Sequence, residues 1–325
     1  MSIATEIQRL QTAKTDVRTS LLKKGIYIPA GTLVSSFSTY IDSENPIPWK
    51  SNPSNYLSFF FIENGSIAWD DPNEAGDIQY SKNGGTTWTF FNGSTLSVNA
   101  FEEVWFKRNR SDGLGYNSPE DSSRFITTGK FFAGGNILSI NNFNETLTQY
   151  HFAYFFYQCS GLNIDKSNPL LLPSTTLASY CYSHMFEGCI SLKTPPELPA
   201  TTLLTNCYSH MFRDCTSLTS APTLPATTLA QSCYAYMFKN CASLRRPPVL
   251  IASTLQKYSY REMFNECINL NYIIMLATTH SATGCLQNWV TDVSETGTFI
   301  KNASTTTLPT DSVSGIPTGW TVIDA

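Results

Sequence analysis

The clearest pattern in this 325-residue chain is a long period in its apolar positions. The stretch Cys181–Cys189, which contains Tyr, Met and Phe, returns as Cys207–Cys215 and as Cys233–Cys241, each time after 26 residues. An eroded copy follows at Met263–Cys267, and an earlier copy, Phe155–Cys159, lies 30 residues before the first. A fixed period of this length is typical of a solenoid, in which each unit buries its apolar face against its neighbours.

Within one unit, the spacing of apolar residues predicts a helix followed by an extended run. Leu203, Cys207, Met211 and Cys215 are four residues apart, which predicts an amphipathic helix of about three turns. The segment 217–225 that follows contains prolines, which end a helix and favour extended backbone. We therefore expect helix-turn-strand repeats, in which the Ala-Thr-Thr-Leu at the start of a unit supplies threonine hydroxyls as helix N-caps.

The repeat resembles a known family. Its pattern Leu-Pro-x-Thr-Thr-Leu-Ala-x-x-Cys-Tyr-x-x-Met-Phe-x-x-Cys-x-Ser-Leu is similar to the BspA-like leucine-rich repeats of surface proteins from gut Bacteroidota and their phages. The resemblance covers residues 150–280, and the stretches 297–301 and 315–322 are similar to the segment that closes such arrays. It implies an interaction surface and carries over no catalytic residue.

The first 24 residues predict a short amphipathic helix that joins protomers or anchors the protein. Alternating spacings of four and three place five apolar residues on one seam, and a seam of this kind suits self-association. These residues are Ile3, Ile7, Leu10, Val17 and Leu21. The opening of the chain has no apolar core of a secretory signal and resembles the opening of virion proteins in crAss-like and other gut phages. The alternative is a helix that packs on its own β domain.

Residues 46–145 contain short β-branched or aromatic runs separated by Gly, Asn, Asp or Pro, which predicts a small β-sandwich. Within it, Ser81–Trp88 resembles the Asp-box of sialidases, with Asn83 in the place of the usual Asp. A single box without a recognisable arginine triad does not predict glycan hydrolysis. A sandwich lined by Trp69, Trp88 and Trp105 would instead favour a glycan-binding module.

Composition excludes several classes of function. A net charge of -4 with only 21 Lys and Arg leaves no broad basic surface, so nucleic acid is not an expected partner. No apolar run reaches the length of a membrane-spanning helix.

The nine cysteines have a structural and a metal-binding interpretation. Cys181, His184 and Cys189 could be zinc ligands, but a Tyr stands at 236 where the preceding repeat has His210. We therefore expect small, buried cysteines that form a ladder between repeats, with no metal and no cofactor.

These patterns together predict four regions and a function without catalysis. The regions are a helical oligomerisation segment (1–45), a β-sandwich (46–145), a leucine-rich-repeat solenoid (146–280) and a C-terminal cap (281–325). The expected protein is a homo-oligomeric (trimeric) phage virion component, a fibre, tail or capsid-decorating protein, that binds other virion proteins or a host surface protein or glycan. The alternatives are a BspA-like adhesin of the bacterial surface and a glycan-binding module. Some repeat positions that we expect to be exposed vary from copy to copy, and these are the expected partner contacts. They are Glu187, Arg213 and Lys239.

Overall fold

A computed structural model describes residues 55–71, 77–91, 94–305, 308–311 and 313–325. These residues contain thirteen β-strands and one short 3-10 helix, Ile137–Asn141, and no α-helix. The predicted fold class is therefore wrong in its main element, because the repeats contain no helix. The predicted N-terminal helix, with its seam from Ile3 to Leu21, lies outside the described residues.

The first part of the protein consists of two small sheets. The strands of the larger sheet that precede the repeats are β1 (Leu57–Phe61), β3 (Gln79–Ser81), β4 (Thr89–Phe90), β6 (Glu103–Lys107) and β8 (Phe131–Asn136). Those of the smaller sheet are β2 (Gly65–Asp70), β5 (Leu96–Val98) and β7 (Arg124–Thr128), in the order β5-β2-β7. Two later strands, β9 (Leu162–Ile164) and β10 (Leu170–Leu171), join the larger sheet. Its order is β10-β8-β1-β6-β3-β4, with β9 also paired to β8.

Aromatic rings join the two sheets. The ring of Phe125 on β7 lies 4.8 Å from that of Phe59 on β1 and 4.9 Å from that of Phe106 on β6. All three side chains are fully buried. Each of these rings brings a large apolar surface into the core, which explains how such short strands form a stable pair of sheets.

The repeat array continues the large sheet. β9 (Leu162–Ile164) and β10 (Leu170–Leu171), which follow the first repeat segment, both pair in parallel with β8. The buried apolar residues of the sheets and of the repeats form one continuous core cluster. The solenoid and the sheets therefore share an interior.

Each repeat is built from consecutive tight turns. Six such segments stack on one another: 150–159, 180–189, 206–215, 232–241, 258–267 and 284–293. In the second, the amides of Cys181, Ser183 and Met185 donate to the carbonyls three residues earlier. The amides between them donate to the next segment, as Tyr182 does to Cys207 at 3.0 Å. Local and inter-segment hydrogen bonds thus alternate residue by residue.

Every fourth residue of a segment has a left-handed backbone. In the second segment these residues are Tyr180, His184 and Gly188, with φ of 59°, 58° and 75°. Each is the third residue of a hydrogen-bonded turn, the position at which a type II turn requires positive φ. The two central residues of each intervening turn have no positive φ.

This geometry gives a period of four that imitates a helix. Cys181, Met185 and Cys189 all face the core and are fully buried. In an α-helix, eight residues turn through about 800°, which would leave the first and last side chains about 80° apart. The sequence pattern therefore identified the buried positions correctly but the backbone wrongly.

The predicted strand of each repeat forms only where proline is absent. β11 (Tyr272–Met275), β12 (Thr298–Lys301) and β13 (Thr321–Asp324) make a three-stranded parallel sheet at the C-terminal end. One repeat earlier, the equivalent positions include Pro247 and Pro248, which have no amide hydrogen to donate. Only isolated bridges occur there, such as Ser220 with Arg246.

Two other expectations about the repeats change. With no helix to cap, the threonines that begin each unit are exposed at the surface.

The stacking also continues past residue 280, since the amides of Tyr260 and Phe264 donate to the carbonyls of Cys285 and Trp289. Sequence similarity misses this last segment because Trp289 and Val290 replace the Met-Phe pair, and only the spacing of Cys285 from Ser259 and Cys233 indicates it.

The left-handed positions give a test of this backbone. We expect Gly188→Ala to lower the free energy of unfolding by about 1 to 2 kcal/mol, because alanine resists positive φ. Gly188→Asn should cost less although Asn is larger, since Asn tolerates this region and Asn240 occupies the equivalent position two repeats later. Urea denaturation of both variants checks this. A larger loss for Asn would mean that contact with Gln158, and not φ, limits the site.

Candidate interaction surfaces

A column of stacked rings runs along the outside of the first four segments. It contains the central left-handed residue of each: Tyr154, His184, His210 and Tyr236. Ring centroids are 4.5, 4.2 and 4.3 Å apart from one residue to the next, and the rings are nearly parallel. The guanidinium of Arg261 lies 5.4 Å from the Tyr236 ring and ends the column. The backbone ladder fixes this spacing, because each ring stands on a successive segment.

Charged side chains beside the column are paired with one another. Glu187 contacts His184 Nδ1 and lies 3.6 Å from Arg213. Lys239 lies 2.8 Å from Glu262 and 3.7 Å from Glu266. The exposure expected for the three candidate partner residues is not found: Glu187 is buried, and Arg213 and Lys239 are half-buried. Their charges are directed at neighbouring repeats.

Two rings of the column, those of His210 and Tyr154, have shifted pKa values. Burial, then the neighbouring imidazole of His184 and the positive charges of Arg213 and Lys239, lower the pKa of His210 from 6.5 to about 2. Burial and the charge of Glu187 raise the pKa of Tyr154 to about 12. Both rings are therefore neutral at pH 7.

The nine cysteines are free and buried, which confirms their predicted place in the core. Cys215 Sγ donates to the carbonyl of Phe186 at 3.2 Å, and Cys241 Sγ donates to that of Phe212 at 3.1 Å. Burial raises the pKa of Cys241 well above its ordinary value. A thiol that stays protonated is a poor nucleophile and a poor metal ligand, so these side chains act as small donors inside the core.

The Asp-box-like stretch is a hairpin loop between β3 and β4. Gly84 and Gly85 have positive φ, and the side chain of Asn83 accepts from the amide of Thr87 and donates to its hydroxyl. Its hydrogen-bonding groups are therefore occupied within the loop. This arrangement explains Asn in place of Asp, because the amide provides both a donor and an acceptor.

The tryptophans do not form a common binding surface. Trp69 and Trp105 are buried, while Trp88 is half-buried beneath the nitrogen of Lys107, which lies 4.4 Å from its ring centre. The expected sandwich surface lined by three tryptophans is therefore wrong.

Arg108 and its acidic partners stabilise the fold through ion pairs. Arg108 is almost fully buried, and its guanidinium bonds to Asp77 and Asp112. Nearby His151 is fully buried, and burial followed by the Arg108 charge lowers its pKa to about 4. The ion pairs fix the loop that follows β6, and the amide of Leu114 in that loop donates to the carbonyl of His151 in the first repeat segment at 2.9 Å.

Within the described ranges, no group of three or more His, Cys, Asp or Glu side chains is arranged to hold a metal ion. In the same part of the chain, no helix has the length and apolar character needed to cross a membrane.

Comparison with known proteins identifies no relative: no protein-family model, curated protein or solved structure matches the chain.

The lowered pKa values of His210 and His151 predict that the stability of the protein depends on pH. Because folding lowers the pKa of His210 and His151, the unfolded chain binds more protons below about pH 6.5, and stability falls as pH decreases from there. We expect the free energy of unfolding to drop by roughly 4 kcal/mol between pH 7.5 and pH 5, about 2 kcal/mol from each histidine. Urea denaturation at the two pH values measures it.

His210→Tyr provides the matched control, since Tyr236 already occupies this column. This variant should retain the stack and lose less stability at pH 5, with the remainder due to His151. An equal loss in both proteins would contradict the assignment to His210.

The buried thiols predict low reactivity. We expect a thiol-specific chromogenic disulfide at pH 8 to label none of the nine cysteines quickly in the folded protein and all nine in denaturant. Burial also raises the pKa of Cys285, but this thiol is less completely buried than the others, so it should react first as denaturant is added. Rapid native labelling at Cys215 or Cys241 would show that the cysteine ladder opens readily.

Proposed function

We propose that this chain is a non-enzymatic structural and interaction protein, namely a phage virion component such as a fibre, tail or capsid-decorating protein. The observation that supports it best is the uninterrupted ladder of inter-segment hydrogen bonds, which runs from Tyr150 to Thr291. A scaffold in which each repeat is bonded and packed to the next presents its surface in a fixed geometry.

The chemistry of the interior agrees with a scaffold. The cysteines are protonated, and His151 and His210 are neutral, so these groups are poor nucleophiles or acids at pH 7. Core positions repeat Cys, Tyr, Met and Phe from one segment to the next. A constant interior keeps successive segments in register, which suits a scaffold that holds a surface in place for partners.

The BspA-like repeat pattern and the opening of the chain favour a phage virion as the setting. The same repeats would serve a bacterial surface adhesin, which is the second candidate. The two settings differ in where the protein is found.

Mass spectrometry of density-purified phage particles and of washed host envelopes from the same culture tests the proposal. We expect this chain among the particle proteins, in a constant ratio to the major capsid protein across gradient fractions. Its recovery only with host envelopes would contradict the virion assignment and support the adhesin. Treating particles with salt before the gradient controls for adsorbed host protein.

A further inference from the structure

A strip of paired hydroxyl residues follows one edge of the solenoid, with one pair before each segment from the second to the sixth. The strip, called the hydroxyl strip below, comprises Thr175, Thr176, Thr201, Thr202, Thr227, Thr228, Ser253, Thr254, Thr278 and Thr279. All ten residues are exposed. Bridges between Thr176 and Thr202, and between Thr254 and Thr279, show that successive pairs lie in parallel register.

In the first four pairs, the residues that precede and follow the pair in the sequence are buried, so the pair itself faces outward. In one repeat, Ala200 precedes the pair and Leu203 follows it, and both are buried. Among the hydrogen bonds of the described residues, the only one donated by a strip hydroxyl is that from Thr278 to the carbonyl of Ser253, at 3.4 Å. The hydroxyls therefore face solvent and remain available to a ligand.

The strip carries no ionisable side chain, unlike the row that contains Glu187, Arg213 and Lys239. Threonine also recurs at these positions although they are exposed and the core does not require it. A uniform, uncharged row of hydroxyls favours an uncharged partner with a regular repeat, because a charged polymer would find no countercharge along it.

At its N-terminal end the strip enters a groove of about 380 Å³. The lining includes Glu145, Thr146, Thr175, Thr176, Leu177 and Leu204. Leu177 is buried at the base, while Leu204 is half exposed and Glu145 lies at the rim. The groove thus combines an apolar floor with hydroxyl and carboxylate groups around it.

Hydrogen bonds fix the loop that forms one wall of the groove. Ser174 Oγ donates to the carbonyl of Glu145 at 3.0 Å, and the amide of Thr146 donates to Asn144 Oδ1 at 3.0 Å. Asn141 Nδ2 donates to the carbonyl of Asn144. Because the wall is held in place before a ligand arrives, binding costs little ordering entropy.

We infer that the groove and the hydroxyl strip bind a neutral polysaccharide, with the chain lying along the solenoid axis. A pyranose ring has an apolar face and a rim of hydroxyls, which match the leucine floor and the threonine and glutamate rim. Neighbouring strands of a β ladder are about 4.8 Å apart, close to the advance of one sugar ring in an extended chain. Glu145 accepts hydrogen bonds from ligand hydroxyls at the groove end.

This inference rests on the proposed interaction function and names the partner class of one surface. It also changes the location expected for glycan contact, from the buried tryptophans of the sheets to the solenoid edge.

Native affinity electrophoresis of the full chain in gels containing hydroxyethylcellulose, galactomannan or soluble starch tests it. We expect at least one of these neutral polymers to retard the protein, and polygalacturonate, an acidic polymer, to leave its mobility unchanged. No retardation by any of the three would overturn the inference, as would equal retardation by polygalacturonate.

Substitutions locate the site. The double change Thr176→Val and Thr202→Val removes two exposed hydroxyls with little change of shape and should weaken the association constant about tenfold. Thr223→Val, an exposed threonine outside the strip, is the matched control and should bind as the wild type does. Ala178→Trp, which fills the groove, should abolish binding, with an unchanged urea midpoint as evidence that it folds.

Unchanged binding by the double variant would overturn the assignment to this strip. If that result came from protein still found in purified particles, the polysaccharide inference alone would fail and the virion proposal would stand.

Discussion

The structure depends on one constraint of hydrogen bonding: in each repeat segment, neighbouring amides must bond in different directions. One amide closes a local turn and the next reaches the adjacent segment, as Met185 and Phe186 illustrate. This alternation requires a left-handed residue at every fourth position, which is unfavourable by roughly 1 to 2 kcal/mol for a residue with a side chain. The inter-segment bonds and the packing they permit offset that cost, so no segment is expected to hold this shape alone.

The same constraint fixes what the interior can contain. In each four-residue period two large or apolar side chains pack in the core, and each segment places such a pair directly beneath the equivalent pair of the next segment. Tyr182 and Tyr208 stack with centroids 5.9 Å apart, and Phe186 and Phe212 with centroids 5.6 Å apart. Cysteine suits the remaining column because it is small, apolar and able to donate to the Phe carbonyl of the preceding repeat, as Cys215 does.

The outer face is divided into two chemically different surfaces. The central left-handed residues carry the ring column, and the charged side chains beside it pair with one another across the repeats. The corner after the proline-rich run carries uncharged hydroxyls that bond to little else in the described protein. The two surfaces share no residue, so a scaffold of this kind can vary one surface without changing the other.

The sequence alone determined the period, the stacking of repeats, and the buried places of Cys, Tyr, Met and Phe, because burial follows apolar character whatever the backbone does. It also indicated the β-rich first part and the hairpin at Ser81–Trp88. Only the tertiary structure decided that the repeats are turns, since a spacing of four fits both a helix and this ladder over nine residues. Tertiary packing likewise decided that Trp105 and Glu187 are buried and that Thr176 is not, because side-chain exposure depends on neighbours from other repeats and sheets.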